Sequence, residues 1–146
     1  MADEPDTLFD HISGKLKIQL SKAAEPIAPN LSNEKAPADA QIVSLAFVAT
    51  ICEDDAFRAL TAGELDEVAL TSREIRLKSD RGEGVLQFAA PNGVHFTVRD
   101  LIAAIEKTER ETRPKGKWFG GIDVHHVFFE GLSRGEDGTW SINWGS

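Results

Sequence analysis

The amino-acid sequence predicts an α+β fold: a small antiparallel sheet packed against one main amphipathic helix, ending in a β-hairpin. Three observations predict it. Several short stretches alternate polar and apolar residues at period two, which suits half-buried strands. One stretch after residue 97 carries a cap followed by apolar residues at helical spacing. The chain then closes on two runs rich in aromatic and β-branched residues, separated by a Gly/Asp turn.

Taken in order, residues 1–14 read as an acidic N-terminal tail, with a short helical turn at Leu8–Ile12. Residues 15–146 form a single domain. Lys15-Leu16-Lys17-Ile18-Gln19-Leu20 alternates, giving a strand with lysines on its wet face. Residues 22–40 hold Pro26, Pro29 and Pro37 among Ala, Asn and Ser; proline cannot donate to a ladder, so this is a connecting loop. Ile42–Cys52 is apolar and β-branched enough for a buried strand, and Asp54–Leu60 suggests a short helix. Glu74–Lys78 and Val85–Ala89 pair as a hairpin turning around Asp80–Gly84, and Pro91-Asn92-Gly93 marks another turn.

The helix begins at Thr97. Its hydroxyl suits the amide three residues on, and Asp100 reaches back to complete a capping box at the positive helix end. Val98, Leu101, Ile102 and Ile105 fall at i, i+3, i+4 and i+7, one apolar stripe. Glu106/Arg110 and Glu109/Arg113 are spaced i,i+4 and are expected on the solvated side. Pro114 ends the helix. The tail Ile122–Leu132 and Thr139–Trp144 forms the hairpin around residues 134–138. On a regular strand Asp123, His125, Val127 and Phe129 share one face, and Val124, His126, Phe128 and Glu130 share the other.

These motifs resemble a family of uncharacterised fungal proteins with a Thr-Val-x-Asp-Val-Leu helix start and a Phe-x-Gly-Leu…Gly-x-Trp C-terminal hairpin. The matching residues are Thr97–Ile105, Ile122-Asp123, Phe129–Leu132 and Gly138–Ile142, within roughly residues 65–144. The resemblance implies a small α+β domain and brings no activity with it.

Composition narrows the function classes. At 146 residues with 41% hydrophobic and 27% charged residues, the chain is long enough to bury a core and too apolar for global disorder. A net charge of −8 argues against nucleic-acid or anionic-membrane partners, which need a clustered basic face. The lone Cys52 sits in an apolar run and is expected to be a small buried hydrophobe. With no disulfide, no basic-then-apolar leader and no run near the length of a membrane span, a cytoplasmic protein is expected.

The candidate site residues lie in the last third. His125 or His126, oriented by Asp123 or Glu130, has the makings of a general acid–base group. Asp123 and His125 at i,i+2, with His95, would be three metal ligands, but no established ligand spacing appears and no metal or cofactor is expected. Nucleophile and phosphate-cradle motifs are lacking. Trp118, His126, Phe128, Trp140 and Trp144 offer more aromatic surface than one helix covers. They either fill the core or face a protein partner or small apolar ligand. The sequence therefore favours a non-enzymatic binding or interaction domain, with homo-oligomerisation through the hairpin edge. The alternative is a small cofactor-free hydrolase or isomerase.

Overall fold

The computed structural model describes residues 12–20, 42–116 and 123–146. Residues 8–11 of the expected Leu8–Ile12 turn, the proline-rich loop at 22–40 and Trp118 lie outside the described residues, and Ile12 opens a strand. Alternation of apolar residues generates a long antiparallel pair, β1 (Ile12–Leu20) and β2 (Ile42–Glu53). Ile12, Leu16, Leu45, Phe47 and Ile51 point inward, and Lys15, Lys17, Ser44 and Val48 point out. β2 turns back through Asp54 and Asp55 into β3 (Ala56–Ala59). Both aspartates have positive φ (54° and 64°), a backbone that a two-residue hairpin turn requires and that aspartate tolerates. The helix expected at Asp54–Leu60 is therefore a strand, because the turn geometry at Asp54-Asp55 starts a ladder first. A four-residue helix, α1 (Ala62–Leu65), follows behind a Thr61/Glu64 capping box.

β4 (Val68–Leu70) and β7 (Phe96–Thr97) form a separate two-stranded ladder. Between them lies the expected hairpin of β5 (Glu74–Ser79) and β6 (Leu86–Ala89), and Gly93 takes the positive φ of the predicted turn. The main helix, α2, spans Val98–Thr112 behind the predicted Thr97/Asp100 capping box and runs into a 3-10 turn at Arg113–Lys115. β8 (Phe128–Arg134) and β9 (Trp140–Gly145) complete the fold.

The sheet is larger than expected. Seven strands are ordered β3-β2-β1-β8-β9-β5-β6, and β5 pairs β9 in parallel while the other neighbours are antiparallel. Adding β5 parallel to β9 requires the chain to cross over, and α2 is part of that connection. α2 lies across the inner face. Val98, Leu101 and Ile105 are fully buried in one cluster with Leu16, Leu45, Phe47, Leu77, Phe129, Ile142 and Trp144.

This order relocates the C-terminal hairpin. β8 is flanked by β1 and β9, and β9 by β8 and β5. The hairpin thus lies within the strand order, with β8 bridged to β1 at the single pair Lys15–Phe128. β3 and β6 are the edges. Two further expectations change. Cys52 is exposed, because strand alternation sends its neighbour Ile51 inward. Glu109 and Arg113 are fully buried rather than solvated, because Trp144 and the Asp123 backbone close over that side of α2. Among the described residues no helix is long and apolar enough to cross a membrane.

Candidate functional site

Two places in this fold gather polar chemistry. The first is the segment that leads into β8. It is not a regular strand before Phe128, so the expected alternation of faces does not hold there. Asp123, 1% exposed, turns its carboxylate back onto the chain. Oδ1 accepts the backbone N–H groups of His125 (2.8 Å) and His126 (3.0 Å), and Oδ2 lies 2.9 Å from His126 Nδ1. The imidazole that meets Asp123 is thus that of His126 at i+3, through a bend, while His125 at i+2 offers it only a backbone N–H. A hydrogen bond at Nδ1 selects the tautomer whose acceptor nitrogen is Nε2. The two imidazoles meet edge to face with centroids 5.1 Å apart. His126 keeps 19% of its side chain exposed. Glu130, on β8, is exposed, and its carboxylate lies over Gly145.

Behind this bend sits a buried ionic network. Glu109 accepts from Arg113 Nε (2.8 Å), Ser79 Oγ (2.9 Å) and Trp144 Nε1 (2.6 Å). Arg113 also donates to the Asp123 carbonyl at 2.9 Å and stacks 5.4 Å from the Trp144 ring centre. Burial pushes the Glu109 carboxyl above its ordinary range, opposed by the Arg113 charge and the three donors. Asp80 is also pushed up by burial, against the Trp144 N–H and the charges of Arg81, Arg113 and His126. Arg81 Nε stands 3.6 Å from Asp80 and 3.9 Å from Asp123, ion-pair range without a hydrogen bond. Among the described residues no group of three or more His, Cys, Asp and Glu side chains is placed to hold a metal ion.

The second place is an open groove of about 560 Å3 at the sheet end where β5 and β9 begin. Leu70, Ile75 and Trp140 form its apolar part, and Arg73, Glu74, Arg76 and Arg134 its charged part. Neither Asp123 nor His126 lines it. The register explains its position. Trp140 pairs Leu77 in the parallel ladder and Arg134 in the antiparallel one, so three strands bring their ends to one point.

Of the aromatic residues expected to bind, Trp144 is 2% exposed and packs edge to face on Phe47 and Phe129. Trp140, 6% exposed, shows only part of itself to the groove. Phe128 is the exposed member, 47% open on the outer sheet face with Lys15 Nζ 5.5 Å above its ring. The four described candidates do not form one patch: Trp144 is core, Trp140 is at the groove, Phe128 is on the opposite face and His126 is at the bend. The three arginines went unnoticed in the sequence. Arg76 alternates as an ordinary wet-face residue of β5, and only the crossover that sets β5 beside β9 brings Arg73 and Arg76 to Arg134.

No protein-family description, curated protein or solved structure matches this chain.

Proposed function

We propose that the protein is a non-enzymatic binding domain whose ligand seats in the groove at Trp140. One observation carries this reading: the groove has a volume within the ordinary range of small-molecule sites and sets polar and charged side chains around an apolar floor of Leu70, Ile75 and Trp140. Trp140, a residue the sequence nominates for binding, lines it. The aromatic hairpin thus enters recognition through one ring at the sheet end, and its other tryptophan, Trp144, supports the core.

A thermal-shift screen tests the reading. A ligand at a hundred times its Kd stabilises the folded state by about 2.7 kcal/mol, a readily measured change in melting temperature. Compounds that stabilise the protein are expected to lose that effect in Gln87→Trp, where a large ring replaces an exposed groove-lining side chain of β6. Compounds that stabilise both proteins equally would place binding elsewhere and overturn the reading.

The Asp123–His126 contact favours a second reading, a small hydrolase or isomerase with His126 as general base. A buried carboxylate that orients an imidazole through Nδ1 is the arrangement such a base needs. Turnover of an ester, amide or phosphoester substrate that disappears in His126→Ala would support it. Turnover that survives the substitution would sink it.

A further inference from the structure

The groove is locally cationic in a strongly acidic protein. Against a net charge of −8, its lining sets Arg73, Arg76 and Arg134 beside a single carboxylate, Glu74. Glu74 is held by Gln87, whose Nε2 donates to Oε1 at 2.7 Å. The three exposed arginines line one concavity, where a negative group would offset their mutual repulsion.

Each arginine also has a neighbouring partner. Arg73 Nε donates to the Gly93 carbonyl at 3.3 Å, and Arg76 Nη2 donates to the Asp137 carbonyl. The Arg134 guanidinium lies 5.9 Å above the Trp140 ring centre. A guanidinium carries five N–H donors, so one anchoring bond to the backbone leaves most of Arg73 and Arg76 to face a ligand. Anchoring removes rotamer freedom before binding, which lowers the cost of forming a forked contact. The neighbouring Asp137 carboxyl is held below its ordinary range, first by the Thr139 N–H, with the Arg76 and Lys78 charges as smaller contributions.

We infer that the groove recognises an oxyanion, a carboxylate or phosphate group, gripped by Arg73, Arg76 and Arg134, with the apolar body of the ligand lying against Trp140 and Ile75. Forked N–H pairs match the two oxygens of a carboxylate or of a phosphate edge. The apolar wall distinguishes this from a site for a bare inorganic ion. The inference rests on the groove reading above and adds the chemical class of the ligand.

The test uses the full chain, amide-resolved NMR titrations at low salt, and three probes. These are benzoate, its neutral near-isostere benzamide, and inorganic phosphate. Benzoate is expected to shift the amides of residues 73–76 and 134–140, with benzamide weaker by about tenfold or more. Added salt is expected to weaken benzoate. Arg134→Gln and Arg73→Gln, both at exposed positions, are each expected to reduce benzoate affinity by about tenfold while leaving the spectrum folded. Phosphate binding at the same amides would extend recognition to both oxyanions, and benzoate alone would restrict it to carboxylates. Equal binding of benzoate and benzamide at the groove would overturn anion recognition and leave the groove as a neutral ligand site. Shifts at other amides only, or none with any probe, would overturn both the inference and the groove reading.

Discussion

At the residue scale, the polar interior is concentrated in a few side chains with defined partners. Glu109 and Arg113 form a fully buried pair, and the carboxylate also satisfies the Trp144 indole and the Ser79 hydroxyl. Replacing it by glutamine would set an amide N–H2 against one of three donors and leave Arg113 charged without its counter-ion. Breaking a buried pair in this way costs about 3–5 kcal/mol. Chemical denaturation of Glu109→Gln is expected to show a loss of that size; a loss under about 1 kcal/mol, the worth of an exposed pair, would show that the pair is solvated. Glu64 gives the clearest dependence on pH. The Arg58 guanidinium, bonded to both its oxygens, and then the Thr61 N–H hold its carboxyl down to about 2 from an ordinary 4.5. Its folded value is depressed, so its contribution is fully present above about pH 4.5 and is lost as the pH falls through about 2. Glu64→Gln is expected to flatten that limb of an acid-unfolding curve, and an unchanged limb would remove Glu64 from the account.

Elements were legible where local chemistry decides them. The Thr97/Asp100 box, the apolar stripe of α2, the β5–β6 hairpin and the Gly93 turn all follow from residues within a few positions of each other. The Asp54-Asp55 turn was not, because aspartate at positive φ is an uncommon alternative to glycine or asparagine. The fate of the helix charges was not legible either, since i,i+4 spacing looks the same whether a partner covers the pair or not. Glu106 and Arg110 illustrate this. They pair at 3.1 Å as expected, yet Glu106 also accepts the Phe47 N–H at 2.9 Å and Arg110 donates to the Leu45 carbonyl at 2.9 Å. Among the described residues β2 has no strand beyond it here, because β3 pairs only Thr50–Glu53. The two helix side chains therefore occupy part of an open strand edge, the feature that otherwise recruits another chain. The double substitution Glu106→Ala/Arg110→Ala is expected to raise self-association in light scattering at high concentration. A double variant whose mass matches the parent would show that this edge is protected by other means.

At the scale of the whole molecule, strand order governs what the sequence could not show. A run of residues such as Thr139–Trp144 announces a strand and its inward aromatic face, and Trp144 does pack into the core. Nothing local announces that β9 lies parallel to β5, because that neighbour is some sixty residues away and joined through a crossover. This single pairing moves the hairpin from an edge to the centre and gathers Arg73, Arg76, Arg134 and Trp140 around one groove. The Asp123–His126 bend belongs to the same class of feature. Its residues were nominated from composition, but their i+3 geometry depends on the chain leaving strand conformation before Phe128.

Chemical-shift mapping of a mixed fragment library on the full chain decides whether ligands seat in the groove at Trp140. Hits are expected to cluster on the amides of residues 70–76, 87 and 134–140, with acidic fragments most frequent among them. Hits gathered on residues 123–127, or spread evenly over the surface, would contradict the groove reading.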